Sequence, residues 1–190
     1  MLFAALLLPL APAPDVTDGW KPSPAAEALL WQYAACVVRH EGDLARAVLD
    51  TEPLTPDAQR RTLDVFQKSK CVYPGTMKAN HAVVRWALAE QLYLAGGRTA
   101  PAATPVPPRV APGEAYALGA CVAQRDPADA DAFVRTKRRS RAEKAAFKRL
   151  IPPINGCAGK SKIVLSGAAM HGVLAEGLYR MRGATAQGSN

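Results

Sequence analysis

The chain has 190 residues, 49% apolar but only 6% aromatic, and a net charge of +8. That is enough apolar matter for a core, and the abundance of alanine over aromatics favours closely packed helices over a β-sandwich. No apolar run reaches the roughly 20 residues of a membrane span, which excludes a polytopic helical membrane protein.

Leu2 to Leu10 is almost pure Leu and Ala, followed by Ala11-Pro12-Ala13 and then the first charge, Asp15. A short apolar stretch ending in small residues is the pattern of a secretory signal peptide, although no basic residue precedes it. Residues 1–13 therefore read as a signal peptide, and a periplasmic or secreted location is expected. The four cysteines, none spaced C-x-x-C, suit disulfides in such a compartment better than zinc.

The most specific signal is an internal repeat. Ala35-Cys36-Val37 recurs as Ala120-Cys121-Val122, Trp31 aligns with Tyr116, and Thr51 with Thr136. Cys71 aligns with Cys157 after a one-residue insertion, and Leu88-Ala89-Glu90-Gln91-Leu92-Tyr93 recurs as Leu174-Ala175-Glu176-Gly177-Leu178-Tyr179. Two copies are too few for a solenoid, so a pseudo-twofold pair is expected. The first copy spans 20–95 and the second 113–183, with a tail over 184–190 expected to be disordered. Between the copies, residues 96–112 hold Pro101, Pro105, Pro107, Pro108 and Pro112, which rule out a helix or a central strand and predict an extended linker.

Each copy should hold four helices. Ser23-Pro24 starts the first, with a hydroxyl cap and proline at the first helical position; its counterpart begins near Gly113. A short second helix covers Asp43 to Asp50, matched by Pro127 to Arg135. The third starts at Thr55-Pro56 and at Ser140, where Glu143 completes a capping box. The last starts at Asn80 and Ser166. Lys162 to Leu165 and Thr76 to Ala79 read as short strands. Each copy places one cysteine late in its first helix and one just after its third, so the duplication favours Cys36–Cys71 and Cys121–Cys157 among the three possible pairings.

Glu90 has Val83, Trp86, Tyr93 and Leu94 within one or two turns, so it and Glu176 should be partly buried and need a partner. The favoured reading is structural, with an arginine such as Arg39 or Arg125, or a helix N-terminus, as partner; the alternative is a carboxylate pair in a cell-wall hydrolase. His40, His81 and His171 lack metal-ligand spacing, and His171 aligns with Arg85, so no metal or cofactor is expected. No nucleophile elbow, Walker loop or dinucleotide fingerprint occurs.

Charge is distributed unevenly. Up to Gly97 there are 9 basic and 10 acidic residues, a balance of −1; from Arg98 onward there are 15 and 6, a balance of +9. The excess concentrates at Arg135, Lys137, Arg138, Arg139, Arg141, Lys144, Lys148 and Arg149, opposed only by Glu143. This predicts an anion-binding face for an envelope component or an acidic protein, with nucleic acid not expected outside the cytosol. The alternative is a solvated helix that keeps an Ala-rich protein soluble.

The duplicated Cys…Cys…Leu-Ala-Glu-x-Leu-Tyr pattern resembles that of small, uncharacterised, exported helical proteins of proteobacteria. The resemblance covers nearly the whole mature chain. It implies export and no assigned activity, so no catalytic or binding residue is carried over. The expected class is an exported, all-α, non-enzymatic binding protein; a hydrolase and a purely structural subunit of an assembly are the alternatives.

Overall fold

A computed structural model describes residues 23–71, 79–96, 115–159 and 163–187. The expected signal peptide and nearly all of the proline-rich linker lie outside these residues. The described chain is all-helical: α1 (Pro24–His40), α2 (Gly42–Leu49), α3 (Pro56–Lys68), α4 (His81–Ala95), α5 (Ala115–Arg125), α6 (Pro127–Val134), α7 (Arg141–Ala158) and α8 (Gly167–Gln187). The first four form one half and the last four the other.

The helix starts follow from side chains that satisfy orphan backbone N–H groups. Ser23 and Thr55 accept from Ala26 and Ala58 at 3.2 Å, each followed by proline. Asn80 accepts from Ala82, Asp126 from Asp129, Ser140 from Glu143 and Ser166 from Ala169. Such caps each contribute on the order of 1 kcal/mol. Residues 163–165 form no strand, which corrects that expectation where it can be seen; Lys162 and residues 76–78 lie outside the described residues. At the other end, α8 continues to Gln187, into the segment expected to be a tail.

Helices α4 and α8 cross at the centre and are buried on nearly all sides. Helix α1 flanks α4, α5 flanks α8, and the pairs α2–α3 and α6–α7 lie outside them. Glycine makes the central contacts possible. A Cβ on Gly119 of α5 would stand 2.5 Å from the Val173 carbonyl oxygen, and one on Gly172 of α8 would collide with Trp86 of α4. Trp86 and Gly172 are equivalent positions in the two halves. The two halves therefore meet there with a large residue facing a hole, not like against like.

One disulfide lies in each half, Cys36–Cys71 and Cys121–Cys157, closing separations of 35 and 36 residues. Loops of that length correspond to roughly 3–4 kcal/mol in the chain-entropy model. Cys71 follows α3, but Cys157 sits inside α7, not beyond it. The helix runs on through Pro152 and Pro153 because Ile154, Cys157 and Ala158 pack onto the core there. A further correspondence lies in the turns before α3 and α7. Leu54 and Arg139 both adopt a left-handed backbone, with φ of 65° and 61°, one residue before the caps Thr55 and Ser140. Together these features are consistent with two repeats.

Candidate functional site

The two equivalent carboxylates, Glu176 on α8 and Glu90 on α4, sit in two different centres. Glu176 faces Arg85 of α4 across the central crossing. Arg85 Nε donates to both carboxylate oxygens at 3.2 and 3.0 Å, and Nη2 to Oε1 at 2.7 Å. Both side chains are almost fully buried. The rest of the guanidinium meets the C-terminal end of α2: Nη1 donates to the Val48 carbonyl and to Thr51 Oγ1, and Nη2 to the Leu49 and Thr51 carbonyls. Arg180 repeats the arrangement, donating to Glu176 Oε1 at 3.1 Å and to the Leu49 and Thr51 carbonyls at 3.0 Å each. Cations at a helix C-terminus are favoured by the macrodipole. A buried ion pair is tolerable when its remaining donors are satisfied, as they are here.

Glu90 has no arginine at the equivalent place, because His171 stands where the first half has Arg85. Instead Arg138, from the turn before α7, reaches inward and donates to Glu90 Oε2. Trp31 Nε1 of α1 donates to the same oxygen at 2.9 Å, and the Arg138 guanidinium lies 3.9 Å above the Trp31 ring. Arg138 Nε is 3.8 Å from Glu27 Oε1, and Arg139 binds Glu27 Oε2 at 2.5 Å. His171 is fully buried against Phe133, with Nε2 3.1 Å from Glu143 Oε1 and Nδ1 4.0 Å from Glu90 Oε2. The other oxygen of Glu143 accepts from the Arg139 backbone at 2.5 Å.

Burial pushes the Glu90 carboxyl above its ordinary range, against the opposing pull of Arg138 and Trp31. Burial and the Arg138 charge hold the His171 imidazole down at about 3, only partly offset by a hydrogen bond with the Val134 backbone. A neutral imidazole at this place donates from Nε2 to Glu143. Around Glu176, two guanidiniums face one carboxylate. Around Glu90, two guanidiniums bind Glu90 and Glu27, and a third carboxylate, Glu143, joins through His171 and the Arg139 backbone.

Neither carboxylate uses Arg39 or Arg125, which corrects the expected partners. The physical reason is the crossing of α4 and α8, which brings residues from the opposite half closest.

The eight basic residues expected to share a face also divide. Arg138 is turned inward and only 20% exposed. Arg135 binds Asp131 at 2.8 Å, Arg149 binds Asp129 at 2.6 Å, and Arg139 is held by Glu27. Lys137, Arg141, Lys144 and Lys148 are exposed and make no ion pair with a described residue. On α7, Ala146 and Leu150 face the core, which leaves Arg141, Lys144 and Lys148 on the outer side. In the equivalent helix α3, by contrast, Arg60 is tied to Asp57 and Lys68 to Asp64.

Sequence reading did not anticipate Arg85, Glu27, or the contact of Glu143 with His171. The signal for Arg85 was present: it is the one charge among Val83, Val84, Trp86, Ala87 and Leu88, and its equivalent is a histidine. Among the described residues, no group of His, Cys, Asp and Glu is arranged to hold a metal ion, and no helix is long and apolar enough to cross a membrane. Comparison of the chain with known protein families, curated proteins and solved structures gave no match.

Proposed function

We propose that this is an exported, non-enzymatic binding protein of the bacterial cell envelope, of the kind that its repeat pattern resembles, and that its second half binds an anionic partner. The observation that carries this reading is the outer surface around α7. Lys137, Arg141, Lys144 and Lys148 point to solvent, while Glu143, the only acid in the run, is drawn inward to His171. Cations left without acidic neighbours are available to a ligand, whereas on α3 Arg60 and Lys68 are already paired and only Arg61 is left. The two disulfides support an oxidising compartment.

The test is binding of the oxidised protein to heparin, a soluble polyanion. Binding should weaken by at least about tenfold between about 50 and 200 mM salt, as released counterions require. The double variant Lys144→Gln/Lys148→Gln should bind more weakly at low salt. Absence of binding at low salt, or equal binding by the variant, would overturn the reading.

One observation favours a second reading, acid chemistry at Glu90: its buried carboxyl is pushed up beside Trp31. Clearing of a peptidoglycan zymogram that is lost in a folded Glu90→Gln variant would establish it.

A further inference from the structure

We propose that the outer face of α7 docks on an anionic lipid surface, with Phe147 and Ile151 entering the headgroup region and Arg141, Lys144 and Lys148 lying over the lipid phosphates. This rests on the anion-binding reading above and deepens it by assigning the anion to a bilayer. The residues sit together by helical geometry. Phe147 and Ile151 are one turn apart, as are Lys144 and Lys148, and the two rows adjoin on the exposed side of the helix. Phe147 is 39% and Ile151 42% exposed, although Phe147 also packs on the buried Phe133. A soluble polyanion would use the cations and gain nothing from the apolar pair. A lipid surface uses both, since apolar side chains partition into the acyl boundary while lysines meet anionic headgroups.

Helix α3 serves as an internal contrast. It also exposes a large apolar side chain, Leu63 at 57%, but two of its three cations, Arg60 and Lys68, are tied to Asp57 and Asp64, which leaves Arg61. Helix α7 sets two exposed apolar chains beside three unpaired cations, where α3 has Leu63 and Arg61 alone, and Glu143 is turned away from the α7 surface.

The test is co-sedimentation of the full oxidised chain with phosphatidylcholine vesicles, with or without phosphatidylglycerol. Wild type should bind only the anionic vesicles. Lys144→Gln/Lys148→Gln should weaken that binding by about 30-fold, given the contribution of each lysine near a charged surface. Ile151→Ser should weaken it by about fivefold, through lost apolar burial, while leaving heparin binding unchanged. Ile151 is the better apolar probe because Phe147 contacts the core, and thermal unfolding of each variant verifies its fold. Heparin binding without vesicle binding would overturn the lipid assignment and leave the anion-binding reading standing. Vesicle binding insensitive to Ile151→Ser would overturn insertion of the apolar pair. Binding to neither probe would overturn both readings.

Discussion

Glu176 and Glu90 occupy equivalent places in the two halves, yet one is neutralised by a cation from the opposite central helix and the other by a cation from a distant turn. In the first case Arg85 and Arg180 surround the carboxylate and also cap the end of α2. In the second, histidine replaces that arginine, and Arg138 and Arg139 stand where the first half has Pro53 and Leu54. The turn keeps its left-handed residue before the helix cap in both. A buried carboxylate must be compensated in each half, but the compensating charge need not stay at one position. It can move to any segment whose backbone already points inward. Part of the second half's positive charge is therefore interior chemistry, and only the remainder is a surface.

The largest effect should come from breaking the fully satisfied centre. Arg85→Ala strands Glu176 in the core and should cost about 3–5 kcal/mol in chemical denaturation. Arg138→Ala acts on a less buried cation beside a carboxyl already pushed towards its neutral form, and should cost clearly less. Equal losses would erase the distinction between the two centres.

Acid should act on the second centre. His171 is held neutral at about 3 in the fold but titrates near its ordinary value of 6.5 when unfolded. Below pH 6.5 the unfolded state binds the extra proton, so stability falls as pH falls, by up to about 1.4 kcal/mol per pH unit, until the folded imidazole itself takes up a proton at about 3. Glu90 opposes the trend in the interval just above its ordinary value of 4.5, where its raised carboxyl already holds a proton in the fold but not in the unfolded chain, and this opposition is gone below 4.5. His81 is also held down by burial and adds a contribution of the same sign. The His171 share is thus the difference in slope between wild type and His171→Gln. An unchanged slope would show that the imidazole does not sense this surrounding.

The contact between halves can be tested at its hole. Gly172→Ala places a methyl against Trp86 and should cost about 1–3 kcal/mol by overpacking, read from the melting temperature. A neutral result would mean that α4 and α8 can separate slightly without loss.

Much of this architecture is legible in the sequence because it is locally encoded. The cap residues Ser23, Thr55, Asn80, Ser140 and Ser166 each act within three residues, and the repeat register alone pairs the cysteines. What is not legible depends on distance. Arg138 and Arg85, the arginines that reach Glu90 and Glu176 from the opposite half, lie 48 and 91 residues away in the chain, and only the packing of the two halves selects them. The basic run reads as one surface because its spacing does not reveal that the turn before α7 directs Arg138 into the core. The run through Pro152 and Pro153 is equally hidden, since proline normally ends a helix and only the packing of Ile154 and Cys157 keeps this one going.

The smallest expected effect separates the two carboxylates most directly. Glu176→Gln removes the carboxylate that binds both Arg85 and Arg180, leaving two guanidiniums buried or half-buried without that direct counter-ion. The loss should approach that of Arg85→Ala, about 3 kcal/mol. Glu90→Gln removes one of three carboxylates from a centre with two guanidiniums, and Arg138 keeps Glu27 within reach. The amide keeps an oxygen to accept from Trp31, and it gives up a charge that burial already disfavours. That substitution should cost no more than about 1 kcal/mol. If Glu90→Gln proves as damaging as Glu176→Gln, the excess of carboxylates around Glu90 is not felt as repulsion, and the second centre is as tightly compensated as the first.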